Sequence, residues 1–303
     1  MSAVEPTTEE SVEPPAPRFR SGRARVVGAG AGRDHVPDAL LGAVSIVVPT
    51  YNTGAVIPAV LRALLTETGG VVAEILVIDN ASTDDTADVV RAFIAREPGA
   101  AGRVRLLENP TNLGYGGSIK RGFADLVAGS EYVAVMHSDA QCDSGSTIRD
   151  MVAAFALTPQ PDVVLASRFL PGAQTRDYNL ARRAGNHFFN TFTRVVSGLR
   201  MSDAGTGIML IRSGALSRMP FERMTSGYQF HPQLNLVIYS DPRLVIAEVP
   251  LAWRDAEVGV KFSLAGYAVT LTKMLLAFAW HRRVRRRPAA DAVVAAAPEG
   301  AAT

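Results

Sequence analysis

The chain has 303 residues, 48% of them hydrophobic and 20% charged, and a formal net charge of only +2. That is enough chain for one large or two small globular domains with a real core, and the charge gives no surplus for a polyanion, so nucleic acid is not an expected partner. One cysteine, Cys142, excludes an intrachain disulfide framework and a cysteine-rich zinc site and fits a cytoplasmic, reducing compartment.

Residues 1–40 are rich in Pro, Glu, Ser, Gly and Arg, show no periodicity and no apolar core of secretion-signal type, and read as a disordered tail. SIVVPTYN (45–52) is an apolar strand ending in turn-forming residues, and 55–65 follows at helical spacing. EILVIDN (74–80) is a second strand, after which Ser82 or Thr83 is placed to cap a helix with Asp84 and Asp85 in its first turn. VRLLEN (104–109) is a third strand, followed by glycines and a helix with Ile119, Phe123 and Leu126 on one face. YVAVMHSD (132–139) and DVVLASRF (162–169) are the fourth and fifth strands, with a helix at 146–157 between them. A long helix over 180–197, a turn and strand in DAGTGIMLIR (203–212), a strand over 243–254 and a helix over 264–280 complete the pattern, and 288–303 reads as a second tail. Strands alternating with helices imply an α/β fold with a mostly parallel central sheet flanked by helices. Ligands of such sheets sit beyond the carboxyl ends of the strands, where this chain gathers PTYN, DNAS, NPTNLGYGGSIK and HSDAQ.

Each cluster carries a chemical reading and a structural one. Asp79, rigidly placed at a strand end, suits hydrogen bonding to a nucleobase or ribose, or caps the next helix. Gly116 and Gly117 permit close backbone approach to a ligand and Lys120 is placed to reach a phosphate, or the segment is a tight turn with a solvated lysine. Asp139 suits Mg²⁺ or Mn²⁺ shared with two phosphate oxygens, for which a single Asp suffices, with His137 and Gln141 flanking it at strand spacing, or it caps a helix. Arg168, Arg182, Arg183, Arg254 and Lys261 are cations for a diphosphate leaving group or an anionic acceptor, or solvated surface charges. Asp203 orients an acceptor or closes a turn.

In order along the chain, SIVVPTYN, VIDNASTDDT, NLGYGGSIKRGF, VMHSDAQCD, ASRF, SDAGTGIMLIR and EVPLAWR resemble glycosyltransferase family 2, and within it the dolichyl- or polyprenyl-phosphate mannose and glucose synthases, over roughly residues 44–275. The resemblance implies a GT-A catalytic domain over 41–263 and a divalent metal. Pro49, Thr50, Tyr51 and Asn52 would line the nucleotide pocket, Asp79 would read the base, and Gly116, Gly117 and Lys120 would lie near base and ribose. His137, Ser138, Asp139 and Gln141 would hold the metal and diphosphate. His137 stands where the family usually carries the first acid of D-x-D-x-Q, Thr53 replaces a frequent Glu, and Val260 a usual Ser before Lys261.

The implied reaction is transfer of a hexose, with inversion, from a nucleotide diphosphate sugar to a polyprenyl phosphate, with Asp139, Arg168 and Arg254 as the catalytic group. Such an acceptor is already an anion, and GYQFHPQLNL (227–236) offers no carboxylate as a base. A hydroxyl acceptor would instead call on His231 or Asp203, and a third reading is a non-catalytic binding scaffold. The helix 264–287 is interrupted by Lys273, ends in HRRVRRR, and is too short to span a bilayer comfortably; it reads as a peripheral contact with the inner face of a membrane, or as a packed helix with a solvated end.

Overall fold

A seven-residue run with almost no polar side chain must be buried on both faces, and β2 (Val44–Thr50) is buried at every position. In the computed structural model, which describes residues 24–28, 38–157, 159–176, 180–254 and 264–297, β2 lies inside an eight-stranded sheet. The strands are β1 (Arg25–Val26), β2, β3 (Val72–Asp79), β4 (Val104–Glu108), β5 (Tyr132–Val135), β6 (Val163–Ser167), β8 (Met209–Arg212) and β9 (Ile246–Pro250). Their order is β1-β9-β6-β8-β5-β2-β3-β4, parallel except for β8, which runs against both β5 and β6. A second sheet pairs β7 (Gln174–Arg176) with β10 (Ala252–Arg254).

The crossovers are α1 (Ile57–Thr66), α2 (Thr86–Arg96), α3 (Tyr115–Leu126) and α4 (Ser144–Ala153). Ile57, Val60, Leu61, Leu64 and Leu65 of α1 recur at helical spacing and are buried. Ile119, Phe123 and Leu126 of α3 face the other side of the sheet, where α5 (Leu180–Ser197), α7 (Phe230–Ser240) and α8 (Leu264–Arg283) complete a second core. The one-turn α6 (Ser213–Leu216) follows β8.

Several boundaries depart from the sequence reading, each for a local reason. Asp143 accepts from the Ser146 amide at 3.1 Å and starts α4 two residues early, so Asp139 caps nothing. The second crossover helix starts at Thr86, because Asp84 uses its carboxylate on the Thr86 amide and hydroxyl; Ser82 and Thr83 turn to Asp79 and Asn52 instead. β5 ends at Val135, so His137 and Gln141 lie on a loop, with Ala140 at φ 55, rather than at strand spacing. Residues 243–254 break at Leu251 into β9 and β10, in different sheets. Both presumed tails contribute to the fold. Arg25–Val26 adds a parallel edge to β9, and α9 (Ala289–Ala295) packs on α7 and α8 with Ala292 and Val293 buried.

Candidate functional site

Because β2 lies between β3 and β5, the loops beyond those three strands meet at one rim. Thr50 pairs with Asp79 across β2 and β3, and the Ser138 hydroxyl donates to the Pro49 carbonyl at 3.0 Å. Asn52, at φ 53, accepts from the Thr83 amide at 2.8 Å and donates to its hydroxyl, tying the first loop to the second. Asp79 is buried and accepts from both the amide and the hydroxyl of Ser82. Thr50, Asn52, Asp79 and Ser138 are therefore tied together at this rim, and Tyr51 lies between Thr50 and Asn52 in the first loop.

The glycine segment does something else. Gly116 and Gly117 are inside the first turn of α3, where a Cβ on Gly116 would stand 2.6 Å from Phe230 Cβ and 2.8 Å from the Thr225 carbonyl oxygen. Gly114, at φ 77, is equally close to the Ser226 carbonyl. Lys120, its ammonium lowered by burial, donates to the Met224 carbonyl at 3.0 Å and the Ser226 hydroxyl at 2.9 Å. These residues seat the 224–228 turn against α3; in this structure Lys120 points at that turn rather than at a phosphate site. Replacing Gly116 by Ala is expected to cost about 1–3 kcal/mol in denaturant unfolding, since helix backbone and turn must part. Gly129→Ala, whose Cβ would meet nothing within 4 Å, is expected to be near neutral.

The seated turn brings Tyr228 onto Tyr115, ring centroids 5.6 Å apart at 20°. Tyr115 in turn places its hydroxyl 3.0 Å from His137 Nε2. Burial pushes the Tyr115 phenol well above its ordinary value and holds the His137 imidazole below its own, so the contact joins two uncharged groups, with the imidazole tautomer setting which one donates. Trp253 abuts His137 edge-on at 5.8 Å. A Cβ on Gly207 would come within 2.6 Å of His231 Nδ1 and 2.9 Å of His137 Nε2, so only glycine fits under the two imidazoles. Asp139, on the same loop as His137, accepts from the Gln141 amide at 3.1 Å. Burial pushes the neighbouring Cys142 thiol up to about 12, which removes a thiolate from consideration.

His231 is 3% exposed and its Nε2 has no protein partner. Burial, then His137, lowers its imidazole to about 3 from 6.5. As pH falls below about 6.5 the unfolded chain takes up this proton and the folded one does not. Stability is therefore expected to decline by about 1.4 kcal/mol per pH unit from there down toward pH 3. Urea unfolding at pH 7 and 5 checks this, and His231→Gln should flatten the slope.

The arginines separate. Arg168 forms a bidentate pair with Asp203, Nε to Oδ2 at 2.7 Å and Nη2 to Oδ1 at 2.9 Å, and lies over Trp253 at 5.5 Å. Asp203 also accepts from the amides of Arg168 and Gly205. It is thus the partner of Arg168, not a loose acceptor-orienting acid, and Arg168 is not an isolated cation. Arg168, Arg183 and His187 line a cavity of about 130 Å³ with Phe169, Leu170, Ala173 and Thr175. Arg254 is exposed, and its amide donates to the Gln141 carbonyl at 2.7 Å, locking β10 to the Asp139 loop. Arg182 is on α5 with its side chain outside the described residues, and Lys261 lies outside them altogether.

Sequence reasoning missed Tyr115, Tyr228, Gly207 and Trp253. Each sat inside a quoted motif, but aromatic contact across 113 residues, from Tyr115 to Tyr228, leaves no local signal. Among the described residues no three His, Cys, Asp or Glu side chains form a metal cluster. The donor set fits a hard divalent cation completed by phosphate oxygens at Asp139, not a self-contained cage.

An undecaprenyl-phosphate mannosyltransferase of Micrococcus luteus is 26% identical over 242 residues, covering 77% of this chain and 94% of that protein. A polyprenol monophosphomannose synthase of Mycolicibacterium smegmatis is 25% identical, covering 76% and 84%. Glucosyl-3-phosphoglycerate synthase of Mycobacterium tuberculosis, crystallised with Mn²⁺ and UDP-glucose, shares the fold with a TM-score of 0.60 at 17% identity, over 91% of this chain and 88% of that one. The family profile described as glycosyl transferase family 2 matches residues 45–219, the span that supplies the rim beyond β2 and β3, the Asp139 loop and the Arg168–Asp203 pair. With the GT-A architecture and that match in hand, the chain belongs to glycosyl transferase family 2 and is a glycosyltransferase.

Proposed function

We propose that this enzyme transfers a hexose, with inversion, from a nucleoside diphosphate sugar to a polyprenyl phosphate. The observation that carries the acceptor assignment is that neither of the two bases a hydroxyl acceptor would call on, Asp203 and His231, is available. Asp203 is committed to Arg168, and His231, at about 3, is too weak a base to take a hydroxyl proton near neutrality. A phosphate oxygen needs no deprotonation. It attacks the anomeric carbon from the face opposite the diphosphate, its lone pair forms the new C–O bond, and the old bond's electrons leave with the nucleoside diphosphate. The two relatives named for polyprenyl-phosphate mannosyl transfer support the same acceptor class.

In this reading Tyr51, Asn52 and Asp79 hold the nucleoside, and Asp139 would hold Mg²⁺ or Mn²⁺, which when bound would supply positive charge for the diphosphate leaving group. The neutral His137–Tyr115 pair fills the place of a second acid, so the site bears one negative charge fewer toward an anionic donor. Arg168, fixed by Asp203 and Trp253, and Arg183 and His187 along α5 set the electrostatics of the acceptor cavity. The test is incubation with radiolabelled nucleotide sugars and either short-chain polyprenyl phosphate or a lipid-free extract. Label should enter the lipid fraction; label only in a lipid-free product rejects the acceptor. A thermal-shift series over nucleoside diphosphates with and without Mn²⁺ identifies the base.

A further inference from the structure

Apolar exposure in this protein is concentrated. Eight large apolar side chains are exposed among the described residues, and six fall on two adjacent helices or the residue after them: Phe188 and Val195 on α5, Val269, Leu276 and Trp280 on α8, and Val284. The spacings of seven and four put each set on one helical stripe. The other faces are accounted for: Leu271, Met274, Leu275 and Phe278 of α8 are in the second core, with Phe189, Phe192 and Val196 of α5 packed against it. α5 and α8 touch each other, and Arg283 Nη2 reaches the Val195 carbonyl at 3.4 Å, which brings the ends of the stripes together.

Charge is equally polarised. α5 and residues 264–287 hold nine of the chain's 31 Lys and Arg and none of its 29 Asp and Glu. A face this positive repels a second copy of itself and favours an anionic partner. Exposed Lys273 sits within the α8 stripe, a position from which a long stem lies on apolar material while its ammonium reaches water. No helix among the described residues is long and apolar enough to cross a membrane. The flank of α5 also bears the cavity beside Arg168: Arg183 and His187 line it, and Phe188 follows directly in the chain.

We infer that α5 and α8 together form a docking face for an anionic bilayer surface, with Phe188, Val195, Leu276 and Trp280 entering the headgroup region and the arginines after α8 lying on lipid phosphates. The face is built by two helices far apart in sequence, not by the C-terminal helix alone. Its purpose, a membrane-borne acceptor reaching the cavity along α5, rests on the acceptor proposed above; the surface itself does not.

The test uses the full chain and vesicles of phosphatidylcholine with or without phosphatidylglycerol. Trp280 is 52% exposed and Trp253, the other tryptophan, is 9% exposed, so a blue shift on binding reports Trp280. Co-sedimentation with the anionic vesicles, a blue shift, and weakening in high salt are expected. Phe188→Ser/Val195→Ser, on α5 only, should weaken binding about tenfold. Arg285→Gln/Arg286→Gln/Arg287→Gln should weaken it roughly 100-fold. The inference is overturned if wild type ignores anionic vesicles, if Trp280 emission does not move, or if the α5 variant binds as wild type does. A dimer in vesicle-free buffer that the α5 variant dissociates would equally overturn it, assigning the face to a second copy. Transfer to short-chain polyprenyl phosphate without vesicles should survive the α5 variant. Vesicle binding with no such transfer would reject the acceptor and leave the face standing.

Discussion

Asp139→Asn is expected to lower transfer about a thousandfold, the equivalent of roughly 4 kcal/mol of transition-state stabilisation. Asn keeps the size and can still accept from the Gln141 amide, so the loop should hold its shape while the charge is lost. Residue 137, the neighbouring polar position of the loop, is a histidine whose Nε2 is engaged by Tyr115 and supplies no carboxylate. Calorimetry supplies a readout independent of turnover. Mn²⁺ should strengthen nucleoside diphosphate binding to the wild type and not to Asp139→Asn, since a lone carboxylate needs the phosphates to complete its coordination. Full activity in the variant would remove Asp139 from the mechanism.

Arg168→Ala should have the largest effect on stability, a loss of about 3–5 kcal/mol. The Asp203 side chain is 1% exposed and would be left as a buried carboxylate without its guanidinium. For a domain of this size the melting temperature should fall on the order of 10 °C. The double variant Arg168→Met/Asp203→Asn should recover much of the loss, because the uncompensated charge is gone and Asn can still accept from the Gly205 amide. A double variant no better than Arg168→Ala would mean that the loss comes from packing against Trp253 instead. Neither protein should transfer sugar normally.

The strands β2, β3, β5 and β6 were legible because largely buried hydrophobic runs leave little ambiguity, and the rim followed from the strand ends. Three kinds of feature were not legible. Lys120 and the glycines around it read as a ligand cradle because a glycine-rich helix start looks the same whether phosphate or another backbone approaches it. Here the visitor is the 224–228 turn, more than 100 residues away. The Arg168–Asp203 pair was split into two separate roles, since nothing in either segment marks the other as its partner. The short α9 and β1 escaped because elements of seven and two residues are too short to show a periodic pattern; they are ordered by packing, Ala292 and Val293 on the second core and Arg25–Val26 along β9.

The crowding over Gly207 leaves the site little room for substitution. An aspartate at 137, the acid usual in the family, would face a phenol held by Tyr228 and a buried imidazole with nowhere to put a new charge. Positions 115, 137, 207, 228 and 231 thus form one sterically coupled block. A substitution at any one of them is expected to be tolerated only with a compensating change at a neighbour.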